Sequence, residues 1–192
     1  MDSTNGALPS YAPTAAPGAG PAMICSKRLE APVAGWIANH AYIDDTGRGD
    51  CLGSGMLNNY AVQTLVSGNF FSGCAVKTDR STDPLSRKPN VKRCDPAPGV
   101  KDVHACLRGA FSAYTDPSEY SNNPFRRPWG PNSNTFAATL ARTCCADSTS
   151  KGLGIVPGWD HAPAGPCPKA ATMLAGGNGA MTENAPGQEG AG

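Results

Sequence analysis

Trp129-Gly130-Pro131-Asn132-Ser133-Asn134-Thr135-Phe136 carries a loop into a helix, and its reading decides the fold. Pro131 fits just outside a helix start, and Asn132 is a residue type whose side chain caps the first free amides of the next helix. Beyond it, residues 133–145 place Phe136, Leu140 and Cys144 on one helical face. A side chain at such a start sits at the positive end of the helix dipole, beside N–H groups able to hold a developing oxyanion. Ser133 is the candidate nucleophile there, with Asn132, Asn134 and Trp129 shaping the oxyanion site. The same polar cluster also serves as a plain cap.

A serine hydroxyl needs a positioned base. Val33–Ile43 reads as a strand, with Trp36, Ala38, His40 and Tyr42 on one face and Ile37, Ala41 and Ile43 on the other. His40 is the candidate base. Asp44 follows on the His40 face as the candidate orienting group, although four residues of extended strand span about 13 Å, so the strand must bend. Asn39, Asp50 and Asp160 are open alternatives.

Gly130-Pro131-Asn132-Ser133-Asn134-Thr135-Phe136, preceded by His40-Ala41-Tyr42-Ile43, resembles bacterial domains that carry a GPNSNTF segment behind a histidine strand. That order resembles circularly permuted NlpC-type, papain-like domains, including relatives of lecithin:retinol acyltransferase. Their Asn-Cys-x-x-Phe motif lines up with Asn132–Phe136, Ser133 standing at the cysteine position. The resemblance spans residues 36–145. It implies a permuted papain-like α+β domain, with an antiparallel sheet and a nucleophile-bearing helix. The departure is chemical: a thiol ionises at such a helix start, whereas a serine depends on its base. A rival layout uses Cys51 with His104. Asp50-Cys51-Leu52-Gly53 is similar to the Asp-Cys-Ser-Gly start of the non-permuted catalytic helix, but Gly53-Ser54-Gly55 disfavours helix there.

Elsewhere, residues 100–114 have helical spacing, with Asp102 near the start. Residues 56–66 fit a helix or a strand pair, 70–71 and 74–76 are strand-like, and 153–156 have some strand character. Residues 77–101 and 115–131 read as loops. His161 reads as a loop residue. The Pro/Ala/Gly arm 1–23 and the Gly-rich tail 175–192 lack the apolar residues to offset ordering entropy, which leaves a core of 24–174 between disordered ends.

The 192-residue chain is 16% charged with a net charge of +1, which excludes a strongly basic nucleic-acid binder. No apolar run approaches the roughly 20 residues that span a bilayer. Eight dispersed cysteines without a CxxC pair favour disulfides over a metal centre, and no cofactor is implied. Adjacent Cys144 and Cys145 are expected to tie one helix end to two partners. The start has no basic segment or apolar stretch of a signal peptide, so export without a leader is expected. Together with the resemblance, this implies a disulfide-stabilised amide or ester hydrolase of the bacterial envelope: a peptidoglycan amidase or endopeptidase, delivered as an antibacterial effector or toxin to the outside or periplasm of a target cell. Cell-wall peptide or lipid would be the substrate, and an immunity protein a partner. Lipid acyl hydrolysis or transfer, and a non-catalytic envelope or secretion-apparatus module, are the alternatives.

Overall fold

Alternation along Asn39–Asp44 builds the centre of a sheet. Ala41 and Ile43 point into the larger apolar core, while Tyr42 joins a smaller cluster on the opposite face with Met23, Cys25, Cys51 and Ala61. This computed structural model describes residues 20–28, 38–52, 57–64, 72–80, 88–121 and 130–167. Within them the strands are β1 (Met23–Arg28), β2 (Asn39–Asp44), β3 (Asn59–Thr64), β4 (Ser72–Thr78), β5 (Asn90–Arg93) and β6 (Ser118–Ser121). The helices are α1 (Val103–Ala113) and α2 (Ser133–Cys144). The sheet is antiparallel, in the order β5-β1-β2-β3-β4-β6. The α+β class and the two expected helices are present.

Both helices lie on the Ala41/Ile43 face. Asp102 caps α1 by accepting the amides of His104 (2.9 Å) and Ala105 (3.0 Å). Val103 and Leu107 then turn inward. Phe136 is fully buried, with Tyr114 edge-on at 4.8 Å and Phe111 at 6.3 Å. Burial of each such side chain contributes about 1.5–3 kcal/mol.

Four disulfides use all eight cysteines: Cys25–Cys51, Cys74–Cys167, Cys94–Cys145 and Cys106–Cys144. The adjacent pair behaves as expected, Cys144 holding α1 and Cys145 holding the chain just after β5. The cross-links fit an oxidising environment. No helix among the described residues is long and apolar enough to cross a membrane.

Several boundaries differ from the expectation. The N-terminal arm stops short of residue 23, because Ala22 and Met23 are buried and Met23 opens β1. Within 56–66, Asn59–Thr64 forms a strand, β3. The expected loops at 77–101 and 115–131 contain the edge strands β5 and β6, both short and largely polar. Leu153 and Val156 are buried without forming a strand.

Candidate functional site

The start of α2 is clamped to β2. Among the described residues, Ile43 and Asp44 of β2 pair with β3, and the edge of β2 at Asn39–Ala41 has no β3 partner. Asn134 fills that gap. Its Oδ1 accepts the Ala41 amide at 2.6 Å, and its Nδ2 donates to the Asn39 carbonyl at 2.9 Å. These groups flank His40 in the chain. The loop after α2 completes the edge: the Asn39 amide donates to the Ile155 carbonyl at 2.7 Å.

The rest of the motif is equally committed. The Asn132 Oδ1 accepts the Asn134 amide at 2.9 Å and the Thr135 amide at 3.4 Å. The Thr135 hydroxyl accepts the Asn132 amide, completing a capping box, and donates to the Gly158 carbonyl at 2.6 Å. The Asn132 and Asn134 carboxamides both donate to the Pro157 carbonyl, at 3.1 and 2.9 Å. Gly158 has φ +85°, and a Cβ there would lie 2.7 Å from Asn132 Nδ2. This close approach explains the glycine.

These bonds correct one expectation. Asn132 and Asn134 shape the site, but their carboxamides are already engaged, in part by the Asn134 and Thr135 amides, so these two side chains are not oxyanion donors. Ser133 is the motif's remaining polar side chain; it is 5% exposed, and no hydrogen bond joins its hydroxyl to another described residue. Trp129 lies outside the described residues.

The His40 ring stacks at 6.4 Å over Tyr42, on the sheet face away from Ala41 and Ile43. Asn134 thus ties the α2 start to the backbone on either side of His40, whereas the His40 ring lies on the sheet face opposite the one on which α2 packs. Asp44 does not orient His40. It is wholly buried beyond Tyr42, and its Oδ1 accepts the Thr46 amide at 3.0 Å. The other orienting candidates are also engaged elsewhere. Asn39 donates to the Leu153 carbonyl at 2.7 Å, Asp50 accepts the Leu52 amide at 3.0 Å, and Asp160 lies 3.6 Å from Arg142. His161 is a loop residue whose amide donates to the Gly158 carbonyl at 3.2 Å.

The Cys51–His104 pair is overturned. Cys51 is fully buried and bonded to Cys25, so it offers no thiolate. His104 instead meets Asp45 through its Nδ1. Asp45 is wholly buried and also accepts the Tyr60 hydroxyl at 3.2 Å. Burial pushes its carboxyl up to about 6, against the lowering effect of His104 and Tyr60. Burial, and next the Asp45 charge, push the Tyr60 phenol upward. Sequence reading missed this cluster. A signal was present: His104 and Arg108, four apart, put polar groups on one side of an otherwise amphipathic helix. Asp45 stands five residues beyond His40, about 16 Å along a strand, so the cluster is separate from the α2 start.

The chain matches no protein-family model, no curated protein and no solved structure.

Proposed function

We propose that the domain is a hydrolase of amide or ester bonds in the bacterial envelope, with Ser133 as nucleophile and His40 as general base. The observation that carries this reading is the Asn134 clamp on the backbone either side of His40. It ties a helix start bearing a hydroxyl to a histidine strand, the two elements that the permuted papain-like reading pairs. His40 would reach Ser133 across the β2 edge that β3 leaves open, take its proton as the hydroxyl attacks the carbonyl carbon, and return it to the leaving group. The α2 dipole favours negative charge at this end by about 1 kcal/mol, too little to ionise a hydroxyl without the base. Four disulfides support action outside the reducing cytosol, where peptidoglycan is the abundant amide-linked polymer and an exported effector would meet it.

A second reading, a non-catalytic envelope module, is favoured by the saturation of the Asn132 and Asn134 carboxamides. One experiment separates the two. Oxidised protein is incubated with peptidoglycan or with phospholipid vesicles, beside Ser133→Ala and His40→Ala. Hydrolysis that disappears in both folded variants supports the enzyme. An inert wild-type protein that sediments with peptidoglycan supports the module.

A further inference from the structure

We propose that, before Cys25 and Cys51 are joined, these two cysteines and Asp44 hold a zinc ion, and that forming the disulfide expels it. One ligand atom from each of the three lies within 4.8 Å of the others. All three residues are 0% exposed. Cys25 and Cys51 belong to an apolar cluster with Met23, Tyr42 and Ala61. The Asp44 Oδ1 is satisfied by the Thr46 amide, whereas the buried Oδ2 has no hydrogen-bond partner among the described residues. Such an orphaned oxygen is costly and calls for a partner, and a neutral disulfide supplies no donor. Two thiolates and a carboxylate form a ligand set suited to zinc.

The arrangement does not depend on the sulfur–sulfur bond. Strand pairing sets Met23 opposite Asp44 and Cys25 opposite Tyr42, which fixes Cys25 and Asp44 on one face. The Tyr42 hydroxyl donates to the Cys51 carbonyl at 2.7 Å and holds Cys51 over that face. In the thiol form zinc displaces two protons from the sulfurs. A disulfide-bearing oxidant then accepts two electrons and two protons and leaves as two thiols. The Cys25–Cys51 bond forms, and Zn2+ departs.

The test refolds reduced full-length protein in a glutathione redox buffer with or without equimolar zinc. Alkylation and peptide mapping then follow each disulfide. Zinc is expected to slow Cys25–Cys51 pairing by about tenfold or more while the other three pairs form as before. Asp44→Asn should weaken zinc retention by about tenfold or more. Cys25→Ser/Cys51→Ser should retain none with its other six cysteines paired, and it decides the matter should Asp44→Asn fail to fold. Unslowed Cys25–Cys51 pairing, or zinc held by the double serine variant, would overturn the proposal.

Discussion

Asn134 occupies the place in the sheet that a β3 residue would fill, its carboxamide oxygen 2.6 Å from the Ala41 amide. Asp45 donates its amide to Asn58 on the same edge of β2, so Asn134 continues the hydrogen bonding where the strand has left. A helix start and a sheet edge are thereby joined by one side chain.

Removing that side chain strands the Ala41 amide and the Asn39 carbonyl. Asn134→Ala should cost about 2–4 kcal/mol, since buried groups are left unsatisfied. Asn134→Asp should cost more, because a carboxylate oxygen would then face the Asn39 and Pro157 carbonyls. Urea denaturation measures both; a loss below that of an ordinary surface substitution would show that the clamp is dispensable.

Gly158→Ala attacks the same region from the loop. Its Cβ collides with the Asn132 carboxamide, and the positive φ adds strain. The expected loss is about 1–3 kcal/mol, at least that of Asn132→Ala. Equal stability of Gly158→Ala and wild type in thermal melts would contradict the packing described.

The central strand and both helices were legible in the sequence because each carries a strong local pattern. Examples are the apolar alternation around Ala41 and Ile43 and the spacing of Phe136 and Leu140. β5 and β6 were not, because Asn90–Arg93 and Ser118–Ser121 are polar edge strands whose pairing comes from the neighbouring chain. The motif at 132–136 was legible as a helix start. Its tie to Asn39, Ala41, Pro157 and Gly158 was not, because long-range carboxamide bonds leave no periodic trace. For the Asp45–His104 contact, the 104/108 spacing marks a polar side of α1 but does not name Asp45 as its partner.

Asp45 sets a pH dependence. Its folded carboxyl titrates at about 6 against 3.8 for the free group, so the folded state holds this proton more tightly than the unfolded chain does. Ionising it therefore lowers stability as pH rises through that window. Asp45→Asn should become more stable relative to wild type between about pH 4 and pH 7, by at most about 3 kcal/mol. Denaturant titrations across that range check the sign; a relative stability that falls with rising pH would contradict it.

The disulfides should differ in weight. Cys74–Cys167 closes a sequence separation of 93 and Cys25–Cys51 one of 26. By loop entropy, replacing the first pair with alanine should cost about 1 kcal/mol more than replacing the second. Paired double variants, unfolded in guanidinium, measure the difference. The reverse order would show that native packing around Cys25 and Cys51, rather than the unfolded chain, governs the effect.

The central claim is that Ser133 is a nucleophile activated by His40. A serine-reactive fluorophosphonate reads this without knowledge of the substrate. The oxidised protein should be labelled at Ser133, as located by peptide mass spectrometry. Labelling should rise with pH in the range where histidine titrates, about 6–7. His40→Ala should lose it while its melting temperature is retained. Absence of label at Ser133 in the folded wild-type protein, or equal labelling of His40→Ala, would contradict the account.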